Sequence, residues 1–457
     1  MKFFKASGLW FLSDEPENRV AGTLRFSESG LHLRLLGGFQ GGWSPDIQTY
    51  GVIQGVVGDS PYGEFVTLHD GFQSSKSVRS QGIGYEVIRC RRAYLGGDYL
   101  TDEGTEVDAI GITTTFLYDW ARLAGVNDFK LSYPSSNNVV IQYDFPEPAR
   151  FEIDDAALLV GFGCSSHIRS RSASLRANCS ISLTPSTLRG AGAITGRFAQ
   201  RLCDLVSFAT DRPNAVEEVT LTRRKPLGVS EKYHLLYDRI FRSKGERDGL
   251  YEGDMLFSLG EAAELGLNIF QTWLNFTRKF ESFCTVYFSS LYAQPRYLDE
   301  RFHRLMSAFT LLCEALSVAP IGAEQFVEDV GRVVHTHFSD REREYLAHLI
   351  PTIAQARMAL DMRRLLDEHR RLMGQVVTDF DEFVIAVSNT LRFIETREPP
   401  GDRPHLAGPE LHYAMQRVRL LIKVLVLHDL GFDARRITTF IERSKEFLHL
   451  KALSGRA

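Results

Sequence analysis

The stretch NTLRFIETREPPGDRPHLAGPELHY, residues 389–413, holds the side chains best suited to chemistry. Arg397 stands where an amphipathic helix should stop. Pro399-Pro400-Gly401 follows, and His405 precedes another long helix. An imidazole, with an ordinary pKa of about 6.5, can take or give a proton at neutral pH. A guanidinium stays charged and offers a planar fork to phosphate oxygens. The two together suit phosphodiester cleavage in which a ribose 2′-hydroxyl attacks the adjacent phosphate, a route closed to DNA. The two prolines favour an extended backbone and Gly401 permits a reversal, so the loop can bulge and still return the histidine to the arginine.

Other constellations are weaker. Cys164 and His167 in CSSH have zinc-like spacing, but no second pair accompanies them, and they read as a polar strand end. The glycines of RGAGAITG have the wrong spacing for a dinucleotide fingerprint, and no Walker lysine follows. A small-residue helix start packed on a sheet is the expectation there. Residues 1–290 show no nucleophile–base or metal spacing.

Composition narrows the classes. Hydrophobic residues make up 44% and charged residues 24% of 457, a globular balance, and the length predicts more than one domain. The six cysteines are scattered, which predicts reduced thiols rather than a disulfide frame. No apolar run is long enough to span a bilayer and no secretory h-region follows the start, so a cytoplasmic protein without membrane attachment is expected. Net charge is −4, and residues 296–457 hold 23 Lys+Arg against 23 Asp+Glu. Nucleic-acid binding must therefore come from a local patch.

Two halves with different periods must position these groups. GTLRFSESGLHLRLLGG alternates apolar and polar residues around a Ser-Gly turn, a hairpin pattern, and similar segments continue through the first ~230 residues. An α+β domain rich in antiparallel strands is predicted for 1–254. The period then becomes helical. LNIFQTWLNFTRKFESFCTVYFSSL predicts a helical connector over 255–295 packed on that domain, its aromatics forming core. Residues 296–457 predict an all-α bundle, with Leu298, Phe302, Leu305, Phe309, Leu312 and Leu316 on one helix face and Pro351 interrupting a long helix.

The segments VSNTLRFIETR and LHYAMQRVRLLIKVLVLHDLGF, with the His405 loop between them, resemble the HEPN superfamily, in the branch found in ApeA-like anti-phage defence proteins. The opening ASGLWFLSDEPENRVAGTLRFSESGLHLRLLGGF resembles the β-rich N-terminal domain of those proteins. The resemblance implies a metal-independent endoribonuclease without cofactors that cuts cellular RNA in abortive infection, its first domain sensing a phage cue or restraining the enzyme. It also implies a homodimer through the helical bundle, so that two Arg/His pairs share a cleft.

The family's motif is an arginine, four to six residues, then a histidine, at the end of the penultimate core helix. By position that selects Arg397 and His405 as catalytic, although seven residues separate them and Glu398 stands where a small polar residue is common. Arg332/His337, Arg343/His348, Arg364/His369 and Arg443/His449 match the pattern in text alone and read as charged helix faces. Arg403 is an alternative phosphate partner to Arg397. Arg417, Arg419 and Lys423 of the last long helix are candidate substrate contacts, or else a solvated face. A glutamate expected on the first bundle helix has no firm counterpart near Thr310 and Glu314. The alternative for the whole unit is a non-catalytic interaction or nucleic-acid-binding module.

Overall fold

The computed structural model describes residues 3–397 and 404–454, apart from 28, 40–46, 59, 61–62, 78–83, 101–105, 122–129, 136–137, 155, 170–171, 187–188, 226–229, 238–249, 251, 294 and 317–349. The chain divides into two compact units. One is Met1–Glu252 with Phe257–Gln271, and the other is Gly253–Leu256 with Thr272–Ala457.

The first unit begins with β1 (Phe4–Leu12), β2 (Val20–Ser27), β3 (Gly30–Leu36), β4 (Thr49–Val57), β5 (Phe65–Ser77) and β6 (Tyr85–Gly96). Strict alternation sends Ala6 and Trp10, Leu24 and Phe26, and Leu31, Leu33 and Leu35 inward, while their neighbours face out. The expected β2–β3 hairpin is present, with Leu24 opposite Leu33 and Ser27 opposite Gly30, whose φ of 106° suits the reversal. Neighbours run β6-β3-β2-β1-β4-β5, and β5 returns to pair with β6, which closes a six-stranded antiparallel barrel. Its wall needs Gly55 opposite Trp10, because a Cβ there would lie 2.4 Å from the indole.

From β6 an open sheet continues. After β7 (Glu106–Val107) come β8 (Ala109–Thr114), α1 (Leu117–Ala121), and the small hairpin β9 (Lys130–Ser135) and β10 (Asn138–Gln142). Next are β11 (Ala149–Ile153), β12 (Ala156–Arg169), β13 (Ser172–Pro185), β14 (Arg189–Gly190) and α2 (Ala191–Ala209). Strands β15 (Val216–Arg224) and β16 (Ser230–Tyr237) complete it, in the order β6-β16-β15-β8-β13-β12-β11. Helix α2 packs on β8 and β15, the place expected for the small-residue helix. Helix α3 (Leu259–Glu264) starts with a capping box between Ser258 and Glu261.

The second unit is helical where it is described. The aromatic run forms α4 (Ile269–Lys279), whose first residues belong to the first unit, and α5 (Glu281–Ala293), where Phe283, Tyr287 and Phe288 are buried. Helix α6 (Leu298–Leu316) buries Phe302, Leu305, Phe309 and Leu312, as its stripe predicts. Helix α7 (Ile350–Glu368) contains Pro351, and at His369 the path breaks into α8 (Arg370–Met373). Helices α9 (Phe380–Thr396), α10 (Gly408–Asp429), α11 (Ala434–Glu442) and α12 (Lys445–Ser454) follow. Helix α10 lies against α6, α11 and α12, and residues 420–427 are buried without a break, as befits a central helix. No described helix is long and apolar enough to cross a membrane.

Candidate functional site

Helix α9 positions the first candidate. Asp379 caps it by accepting hydrogen bonds from the Asp381 and Glu382 N–H groups, both at 2.9 Å. Val384, Val387 and Leu391 anchor it in the core. It ends at Arg397, which adopts φ 58°, ψ 15° and donates its N–H to the Phe393 carbonyl at 2.9 Å. That left-handed cap normally belongs to glycine or asparagine.

The chain is described again from Pro404, already back at α9. Asn389 Nδ2 donates to the Pro404 carbonyl at 3.0 Å, and the Leu406 N–H donates to Thr390 Oγ1 at 2.8 Å. Between these two tethers the His405 ring sits 5.9 Å from the Phe393 ring, centroid to centroid, and is exposed. Arg397 and His405 are thus both fastened to Phe393, one through its carbonyl and one through its ring. The arginine is 65% exposed, and its guanidinium lies 3.6 Å from Asp299 on the first turn of α6. One turn along α6, His303 lies 3.6 Å from Glu395. Arg403 and Glu398 lie outside the described residues.

The three candidates on α10 are not presented as one surface. Arg417 is half-buried and donates from Nε to the Val376 carbonyl at 2.7 Å. Burial holds its guanidinium below the ordinary arginine range. The Lys423 side chain is 0% exposed, and its ammonium meets Glu446 of α12. Arg419 reaches the same carboxylate at 3.9 Å. A solvated face does not describe Lys423. The helix is enclosed on nearly all sides there, so its one cation is held inside by a carboxylate.

Arg419 also lines a cleft of about 260 Å³ within this unit. Arg301 and Arg304 of α6, His412 and Gln416 of α10, and Glu446 share it. The His412 ring and the Gln416 amide are hydrogen-bonded at 3.2 Å. Arg304 pairs with Glu300 at 2.6 Å, and Arg301 donates to the Pro295 carbonyl. These guanidiniums and the imidazole could hold an anionic group. Sequence reasoning passed over Arg301, Arg304 and His412, because a helix reads as an ordinary polar face until its neighbour is known. Among the described residues no cluster of histidine, cysteine and carboxylate side chains is arranged to hold a metal ion.

Residues 5–273, more than half of the chain, match the family described as ApeA N-terminal domain 1. No curated protein and no solved structure matches the chain.

Proposed function

The chain belongs to the ApeA N-terminal domain 1 family, and from that premise we propose that it is an anti-phage defence protein. Its strand-rich unit senses a phage-derived cue or restrains the enzyme. Its helical unit is a HEPN-type endoribonuclease that cuts cellular RNA without a metal and halts growth before phage release. His405 moves the proton of the attacking 2′-hydroxyl, and Arg397 (or Arg403) stabilises the charge that builds on the phosphate. One pair is thin for both acid and base, so a second copy of the chain, joined through the helical unit, supplies the second histidine.

The observation that carries this reading is the Arg397 cap. A bulky residue at positive φ costs roughly 1–3 kcal/mol, and such strain gathers at functional sites. The residues on either side of His405 bond to Asn389 and Thr390 of the same helix.

A non-catalytic interaction module is the second reading, favoured by one fact: the Arg397 guanidinium is already engaged by Asp299. One experiment separates the two. Wild type, Arg397→Ala and His405→Ala are expressed in bacteria with and without phage challenge, and growth and RNA integrity are followed. RNA fragmentation that wild type shows and His405→Ala lacks supports the nuclease. Intact RNA in all three, with equal phage protection, sinks it.

A further inference from the structure

The outer wall of the barrel carries basic residues in register, with two like charges, Lys5 and Arg25, directly opposed. Lys5 of β1 stands opposite Arg25 of β2, Arg25 opposite His32 of β3, and His32 opposite Arg89 of β6. Like charges placed directly opposite on antiparallel strands destabilise the pairing, so a fold gains nothing by itself from such a row. The next row holds Ser7, Thr23, Arg34 and Val87, and the one after it Leu9, Ala21, Leu36 and Tyr85. Ser7, Gly8, Ala21, Gly22 and Thr23 are small, and beside the basic side chains they line an open groove of about 700 Å³. Lys5, Arg25, His32 and Arg34 line it, and no described residue in its lining is acidic. Among the described residues Lys5, Arg25 and Arg34 enter no ion pair.

The shape of the row narrows what would neutralise it. Adjacent strands lie about 4.8 Å apart, so the four basic residues Lys5, Arg25, His32 and Arg89 span roughly 14 Å across three gaps. An isolated phosphate would reach one or two of them. A ligand with repeating negative charge would reach them all. Flat groups suited to bases stand beside the row. The Arg34 guanidinium stacks 4.5 Å over the Tyr85 ring, and the exposed Phe72 faces Arg89 and continues the row onto β5. His32 donates from Nε2 to the Ser29 carbonyl at 2.9 Å, which holds the ring in the row. A cationic groove flanked by aromatic and guanidinium planes is how sequence-tolerant proteins hold unpaired strands.

We propose that this face of the barrel, centred on Lys5, Arg25, His32 and Arg34, binds single-stranded nucleic acid. Phosphates lie along the cationic row and bases on the Tyr85–Arg34 stack. The assignment is independent of whether the helical unit cleaves RNA.

The test is fluorescence anisotropy on the full chain with labelled oligo-dT and, in a His405→Ala background, oligo-U, titrated at several salt concentrations. The comparison is with a Lys5→Gln/Arg25→Gln variant. Binding should weaken about tenfold or more, and the slope of log K against log salt should become shallower by about 1.4 for two lost phosphate contacts. Thermal melting should show the variant to be at least as stable as wild type, because two opposed like charges are gone. Which oligonucleotide binds tighter tells RNA from DNA as the source. Equal affinity and slope for variant and wild type overturn the proposal. So does preferential binding of duplex, or displacement of the oligonucleotide by an equal length of poly-glutamate.

Discussion

The Arg397 guanidinium lies 3.6 Å from the Asp299 carboxylate, while the arginine's own backbone is held in a left-handed conformation at the end of α9. The side chain is thus restrained twice, by a strained cap and by a partner on α6. Glycine adopts that backbone freely. Arg397→Gly is therefore expected to stabilise the protein by about 1 kcal/mol in chemical denaturation. On the proposed function it also abolishes RNA cleavage. Loss of stability on that substitution would show that the Asp299 contact outweighs the strain.

Asp299→Asn addresses the same pair from the other side. An exposed ion pair contributes about 0–1 kcal/mol, so the melting temperature should barely change. On the proposed function, the arginine released from its carboxylate holds phosphate more tightly, and RNA cleavage at low substrate rises rather than falls.

Lys423 and Glu446 form a pair of a different kind. The lysine side chain is 0% exposed and the glutamate 11%. Glu446→Ala removes the carboxylate from beside a buried ammonium and should cost about 3–5 kcal/mol in urea titrations. Lys423→Met/Glu446→Leu should cost much less than Glu446→Ala, because no buried charge remains.

His369 gives the helical unit an acid-sensitive element. Burial pulls its pKa below the ordinary histidine value of 6.5, Glu368 opposes this, and His428 adds to it. The unfolded chain therefore binds the proton first as pH falls. The stability contribution is fully present above the unfolded value and is lost as pH drops below it toward the lower folded value. Melting temperature should decline as pH falls below about 6.5, the ordinary histidine value, and His369→Gln should flatten that slope.

Burial also decides thiol reactivity. It pushes Cys90, Cys179 and Cys313 up to about 12, so they carry almost no thiolate at neutral pH. Cys164 is the half-exposed one of the six. Brief alkylation of the native protein followed by mass spectrometry should mark Cys164 first.

Much of the strand-rich half was legible in the sequence, because alternation is a local signal. The β2–β3 hairpin, with Leu24 opposite Leu33, follows from the spacing of those residues around the Ser-Gly turn. Barrel closure was not legible. Pairing of β5 and β6 could have made a plain hairpin, and the ring also needs β4 beside β1 and β3 beside β6, contacts across more than forty residues with no local trace. At the helix end, a glycine would have announced the left-handed cap, whereas an arginine hides it. The burial of Lys423 was illegible too. On a helix enclosed by α6, α11 and α12 a single cation looks like part of a polar face until Glu446 is seen beside it.

The ring formed by β1 to β6 has a bearing on how this half meets other molecules. Each of these strands has hydrogen-bonding neighbours on both sides, β6 being shared by β5, β3 and β16. Among the described residues, none of the six is an edge strand that a visiting peptide could extend along its whole length. Discrimination here falls to side chains, which can be exchanged one at a time without disturbing the hoop beneath them.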